Sequence, residues 1–170
     1  MIKAKKKYGQ NFLIDKGVIN KIIEAINPKN LDQILEIGPG LGALTSQILN
    51  KVDHIDVVEI DPDMIKILQE KLPPSKITIF PLNILEMSND AIGKYDKVIG
   101  NLPYYISSEI LLKMIKTINN QKDLHFMLQK EVAERISSST HSKSYGRLSV
   151  MLQYFFDIEL LFDIKPESFS

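Results

Sequence analysis

Three glycines at alternate positions, Gly38, Gly40 and Gly42, follow a short apolar run from Gln33 to Ile37. The run reads as a buried strand. Glycine lets the backbone turn sharply and leaves no Cβ between it and a ligand. Leu44, Ile48 and Leu49 then return at helical spacing. A helix therefore follows, with its first N–H groups pointing at whatever lies over the turn. Strand, glycine turn and helix together predict a small-molecule site at the end of a parallel strand. The ligand stays open at this point. Gly38, Gly40 and Ala43 satisfy the dinucleotide fingerprint G-x-G-x-x-G/A, and an acid, Glu59, lies about 20 residues on. Nicotinamide and other nucleoside cofactors fit equally well, and a purely structural turn remains a further reading.

The flanking sequence repeats the strand–helix alternation. Residues 1–13 read as an irregular basic arm with Phe12 and Leu13 as anchors. Asp15 is placed to cap a helix carrying Val18, Ile19, Ile22, Ile23 and Ile26, stopped by Asn27-Pro28. The helix after the glycine turn is expected to reach about Lys51. A second strand spans His54 to Glu59, and Asp61-Pro62 supplies the cap and first residue of the next helix. A third strand covers Lys76 to Phe80, with 81–94 mostly connection. A fourth covers Tyr95 to Gly100. Ser107 is expected to cap a helix with Ile110, Leu111, Met114 and Ile115 facing inward. Leu124 to Gln129 is a fifth strand, Glu131 to Ile136 a short helix, and 137–144 a polar, mobile loop. Arg147 to Tyr154 reads as helix and Phe155 to Ile164 as a sixth strand. Strands alternating with helices indicate βαβ units and a mostly parallel, doubly wound sheet in one domain, 1–170.

Composition removes several classes. At 170 residues the chain can bury a sizeable core. It has no cysteine, which excludes disulfides and thiolate metal sites. No stretch approaches the roughly 20 apolar residues of a membrane span, so we expect a cytoplasmic protein. The formal net charge is +0, which argues against a general nucleic-acid binder. The charge is uneven, however. Lys3, Lys5, Lys6, Lys7, Lys16, Lys21 and Lys29 are opposed only by Asp15 and Glu24 in the first segment. His54, His125 and His141 lack metal-ligand spacing, and no metal site is expected.

Three polar positions fall at strand ends. Glu59 ends the second strand, where a carboxylate can accept both hydroxyls of a ribose. Asn83 follows the third; its amide could accept from an adenine amino group and donate to a ring nitrogen, although a turn asparagine is the plainer reading of Asn83 alone. Asn101-Leu102-Pro103-Tyr104 follows the fourth strand. Asn101 and the Leu102 carbonyl offer two acceptors, Pro103 brings no competing N–H, and Tyr104 offers a flat π surface. Such a set suits the planar amine of a nucleobase.

Several stretches come in a fixed order: Gly-Gln-Asn-Phe-Leu (9–13), Glu-Ile-Gly-Pro-Gly-Leu-Gly (36–42), Val-Glu-Ile-Asp (58–61), Asn-Leu-Pro-Tyr (101–104), Leu-Gln-Lys-Glu-Val-Ala (128–133), Tyr-Gly-Arg-Leu-Ser-Val (145–150) and Pro-Glu-Ser-Phe (166–169). Taken together they resemble the ribosomal RNA adenine dimethyltransferases, bacterial small-subunit type. The resemblance implies a Rossmann-like class I methyltransferase fold with S-adenosylmethionine (S-adenosyl-L-methionine) as cofactor. Carried over by position, Asn11, Leu13, Gly38, Gly40, Glu59, Ile60, Asn83 and Asn101 would line the cofactor pocket. Asn101, Leu102, Pro103 and Tyr104 would hold the target adenine, with Phe169 on its opposite face. It further implies two methyl transfers to N6 of each of two adjacent adenosines near the 3′ end of small-subunit rRNA. The partner would be the immature small ribosomal subunit, met by a monomer without a membrane. The basic arm, Lys113, Lys116, Lys143 and Arg147 are candidates for phosphate contacts. The family has Asp where this chain has Asn83, and continues past Phe169 with a further strand and a small helical domain. Two rivals stay open: an adenine-N6 methyltransferase of large-subunit rRNA, and a non-catalytic RNA-binding assembly factor. A nicotinamide dehydrogenase is remote, because no acid–base residue for hydride transfer is evident.

Overall fold

The computed structural model describes residues 10–118 and 123–170. The first nine residues of the expected basic arm, including Lys3 to Lys7, lie outside the described residues. Helix α1 spans Lys16–Ile26; the Asp15 carboxylate accepts from the Gly17 and Val18 N–H groups at its start, and Asn27 ends it in the left-handed conformation. Its inner face buries Ile19, Ile22, Ile23 and Ile26, each worth about 1.5–3 kcal/mol of apolar burial.

Strand β1 (Ile34–Ile37) leads through the glycine turn into α2 (Ala43–Ile48). The helix stops short of Lys51 because its last turn tightens, with Asn50 N–H donating to the Gln47 carbonyl and Lys51 N–H to that of Ile48. Strand β2 is Ile55–Val58, α3 Pro62–Lys71 and β3 Ile77–Phe80. The connection after β3 holds a 3-10 turn at Ile84–Glu86 and a one-turn helix, α4, at Asn89–Ile92. Strand β4 (Lys97–Asn101), α5 (Ser107–Ile115), β5 (Asp123–Met127), α6 (Lys130–Ile136) and α7 (Arg147–Phe155) complete the regular elements. Ser107 does not cap α5. It is the first helical residue, and its hydroxyl donates to the Tyr104 carbonyl at 3.3 Å.

All five strands are parallel, in the order β3-β2-β1-β4-β5. The chain reverses its direction of travel between β1 and β4, which is the switch point where open α/β sheets bind ligands. Side chains alternate along each strand, so two cores form. Ile34, Ile55, Val57 and Ile99 face α1, α2 and α3; Leu35, Ile37, Val58 and Val98 face α5, α6 and α7. The sheet is doubly wound as its sequence predicts. Gly100 lets β4 lie close against β1, since a Cβ there would sit 2.5 Å from the Ile37 carbonyl oxygen.

The expected sixth strand, Phe155 to Ile164, is a correction. Phe155 ends α7, and the residues from Phe156 onward form no ladder with any described strand. The sequence has strand-forming side chains, but a strand needs a neighbour to hydrogen-bond. Instead, Phe156 and Ile158 pack on one core and Ile164 on the other, so this segment passes from one face of the sheet to the other. The chain then returns to its own beginning. Leu13 bridges Phe169, Ile14 N–H donates to the Ser168 carbonyl at 2.9 Å, and Ser170 N–H donates to that of Phe12 at 2.9 Å.

Candidate active site

A cleft of roughly 730 Å³, part of it open solvent, lies over the carboxyl ends of β1, β2, β3 and β4. Gly38, Gly40, Glu59, Ile60, Asn83, Asn101 and Pro103 line it, together with Asn11. A smaller hollow beside it shares Asn11, Gly38, Gly40 and Asn101 and adds Leu13, Glu36 and Met127. Asn11 and Asn101, 90 positions apart in sequence, therefore meet, and every expected cofactor position except Leu13 borders the main cleft.

The glycine turn is built for close approach. Gly38, Gly40 and Gly42 all have positive φ, at 65°, 54° and 75°. A Cβ on Gly40 would press on the Phe12 ring at 3.2 Å, so the N-terminal segment lies directly over the turn. That segment is latched at three points. Gln10 Nε2 donates to Asp61 at 2.8 Å, Asn101 Nδ2 donates to the Asn11 carbonyl at 3.1 Å, and Phe12 is buried.

Glu59 is buried, yet both oxygens are held. One accepts from Asp61 N–H at 2.9 Å and the other from Gly40 N–H at 3.3 Å. Burial raises its pKa, against the lowering effect of those backbone donors. Each carboxylate oxygen accepts more than one hydrogen bond, so Glu59 retains capacity for a ligand diol. Beneath the turn, Glu36 is also buried and accepts from Thr45 Oγ1 at 2.6 Å. Burial pushes its carboxyl up to about 7, with a smaller contribution from Glu59.

Two amides are oriented by the backbone. Leu85 N–H donates to Asn83 Oδ1 at 3.0 Å, and Asn101 gives its Nδ2 to a carbonyl. Pro103 lines the cleft, whereas Tyr104 is exposed beside it and Tyr105, not foreseen, lines it. Leu102 is buried, with its N–H on the Met127 carbonyl. Phe169 lines neither hollow; its ring packs on the core next to Leu13. Gln10, Phe12 and the apolar wall of Ile37, Val58, Leu82, Ile84, Ile106 and Ile110 also went unassigned from sequence. Ile37, Val58 and Leu82 lie at or just past strand ends, which was the available signal, whereas Gln10, Phe12, Ile106 and Ile110 carry none. Lys113 is turned inward, donating to the Leu85 carbonyl and Asn89 Oδ1, both at 3.2 Å.

A carboxylate for a diol, a backbone turn free of Cβ atoms and amides at the rim form a donor and acceptor set that fits a nucleoside. The model of the ribosomal RNA adenine dimethylases matches residues 1–170. The ribosomal RNA small subunit methyltransferase A of Legionella pneumophila (strain Corby) is 49% identical over 98% of this chain and 65% of its own length. That of Dechloromonas aromatica (strain RCB) is 45% identical over 98% of this chain and 66% of its own. The chain thus spans about two thirds of the length of these curated relatives. Among solved structures, a dimethyladenosine transferase from Plasmodium falciparum matches with a TM-score of 0.73 and 29% identity, covering 84% of this chain and 52% of that one. The 23S rRNA methyltransferase ErmE matches with a TM-score of 0.65 and 26% identity, over 84% and 55%. The fold is the Rossmann-like fold of class I methyltransferases. Over its whole length, the chain belongs to the ribosomal RNA adenine dimethylase family.

Proposed function

We propose that this chain binds S-adenosylmethionine and carries out N6,N6-dimethylation of two adjacent adenosines near the 3′ end of small-subunit rRNA. The observation that carries the reading is the Asn101 amide. Its Nδ2 is taken by the Asn11 carbonyl, so its Oδ1 is the atom left to accept, in the same cleft as Glu59. An acceptor at that place can hold an amino hydrogen of an adenine extruded from its stack.

Glu59 would accept the ribose hydroxyls, and the glycine turn would leave room for the rest of the cofactor. When bound, S-adenosylmethionine supplies an electrophilic methyl on a cationic sulfonium. Asn101 Oδ1 and the Leu102 carbonyl would hold the two amino hydrogens. That draws the N6 lone pair out of the ring and aims it at the methyl carbon. Bound there, the cofactor would supply the methyl to N6 and leave with the bonding pair on its sulfur, while Asn101 and the Leu102 carbonyl would keep the amine in place as its extra proton passes to water. No strong base is needed before attack, so the residues act chiefly by positioning. Tyr104 would stack on the base. Phe169, away from the cleft, would serve through its bridge to Leu13, which fixes the segment bearing Asn11.

The relatives named for the small subunit are 45% and 49% identical, against 26% for ErmE, which supports the small subunit as substrate. On this reading the chain works in the cytoplasm on immature subunits. The test is transfer of labelled methyl from S-adenosylmethionine to immature small subunits, followed by nucleoside analysis. Labelled N6,N6-dimethyladenosine in small-subunit rRNA is expected. Label only in large-subunit rRNA would favour the first rival, and RNA binding without label the non-catalytic one.

A further inference from the structure

We propose that Lys71 is a positioning residue for the glycine turn: from the far end of α3 it sets that turn against Glu59. This rests on the reading that the turn and Glu59 take the cofactor.

Helix α3 touches the site at both of its ends. At its start, Asp61 N–H donates to one Glu59 oxygen at 2.9 Å. The Asp61 carboxylate caps the helix through Asp63 N–H and also takes Gln10 of the N-terminal segment. Further along, Leu68 is fully buried, and a Cβ on Gly42 would sit 2.9 Å from its Cδ2. In the last turn, Lys71 Nζ donates to the Leu41 carbonyl at 3.0 Å. The circuit closes at Gly40, whose N–H donates to the other Glu59 oxygen at 3.3 Å. Turn, Glu59, Asp61, helix and Lys71 thus form one ring of contacts.

Within the turn, the Leu41–Gly42 peptide is the piece free to rotate. Gly40 and Gly42, on either side of Leu41, both sit at positive φ, and glycine has many other conformations open to it. The peptide is a rigid plane, and here both of its polar groups are held. Its N–H donates to the Pro39 carbonyl at 2.9 Å, and its carbonyl accepts from Lys71. Removing Lys71 frees one edge of that plane and opens the ring between α3 and the turn. Lys71 itself is exposed and lines neither hollow, so it acts on a ligand through the turn. A cation in the last turn of a helix also meets the helix dipole favourably, and that plainer role would steady α3 without changing the site.

The test is calorimetric titration of the 170-residue chain with S-adenosylhomocysteine and with 5′-methylthioadenosine, which keeps the ribose and lacks the carboxylate. Lys71→Met keeps the aliphatic stem and removes the donor; Lys71→Arg keeps a cationic donor. K71M is expected to lose about three- to tenfold in affinity for both compounds, the range of one net hydrogen bond, and K71R to stay within about twofold of wild type. Unchanged affinity in K71M would overturn the inference, even if urea unfolding showed a less stable chain. A loss confined to S-adenosylhomocysteine would also overturn it, since Lys71 would then attract the carboxylate directly. So would a loss in K71R equal to that in K71M. Failure of the wild type to bind either compound would overturn the cofactor reading beneath it, so the two failures are told apart.

Discussion

Asn83 and Asn101 flank the glycine turn on opposite sides, and each amide is fixed by one backbone group. At the β3 corner the group is an N–H two residues away, met by the amide oxygen. At the β4 corner it is a carbonyl 90 residues away, met by the amide nitrogen, so the oxygen is left to accept. The same side chain is thus held by opposite ends. The first orientation is local and needs only the turn after β3. The second exists only once the N-terminal segment lies across the sheet, latched by Gln10 and Phe12. On the proposed function, cofactor recognition would be carried by the local corner, and the acceptor for the incoming base by the corner that depends on long-range closure.

The comparison breaks most sharply at the β4 corner. Asn101→Ala removes the acceptor and unties Asn11. Methyl transfer is expected to fall by roughly 10²–10³-fold, the cost of losing one preorganised polar group at a reacting centre. Cofactor affinity should remain measurable by calorimetry, since Glu59 and Asn83 are untouched. Unchanged single-turnover rates would take Asn101 out of the mechanism.

Between the corners lies Glu36, and it sets a pH dependence. Its carboxyl titrates near 7 in the folded chain against 4.5 as an ordinary value. From 4.5 to 7 the folded state holds a proton that the unfolded state has lost. The Glu36 contribution to stability is therefore fully present below 4.5, falls as pH rises to about 7, and stays level beyond. The loss is on the order of 3 kcal/mol. Glu36→Gln should remove that part of the slope in urea unfolding series across this range. Burial shifts Glu59 in the same direction, so the difference between wild type and E36Q is the quantity to read. Parallel curves for the two would show that Glu36 ionises freely when folded.

Legibility in the sequence followed the same division between local and remote. The Asp15 and Asp61 caps, the strand-forming runs and the glycine turn are set by neighbours within a few residues, and the sequence shows them. Glu59 and Asn83 could be placed because each lies just past a strand. The run from Phe156 to Ile164 misled, because its side chains favour a strand while pairing depends on a neighbour elsewhere. The Asn11–Asn101 bond, the Gln10–Asp61 bond and the Leu13–Phe169 bridge join distant segments, and no spacing rule announces them. Lys113 also looked like a surface cation. Its inward turn depends on the fold of the 84–89 connection, which sequence left unstructured.

The exposed side of the β4 corner carries a smaller effect. Tyr104 is 43% exposed and Tyr105 58%, but only Tyr105 lines the cleft. Tyr104→Ala is expected to cost ~1–3 kcal/mol in kcat/KM for RNA through lost stacking, with cofactor affinity unchanged. If Tyr105→Ala carries that loss instead, the stacking surface belongs to Tyr105 and the base approaches from further inside the cleft.

The smallest expected effect tests how far the β3 corner is self-contained. Burial lowers the pKa of Lys113, with a further contribution from the nearby Lys116 charge, and its ammonium is committed to the Leu85 carbonyl and Asn89. Lys113→Met keeps the aliphatic stem and removes both bonds. If Lys113 steadies the turn that orients Asn83, cofactor affinity should drop by about 1 kcal/mol, the worth of a typical hydrogen bond, and RNA affinity should hold. A phosphate contact gives the opposite split: cofactor binding unchanged, RNA binding weaker, and a shallower dependence of RNA affinity on salt. Titrating both ligands over a salt series decides between them. The second outcome would leave the β3 corner held by Asn83 and Leu85 alone, and local in the strictest sense.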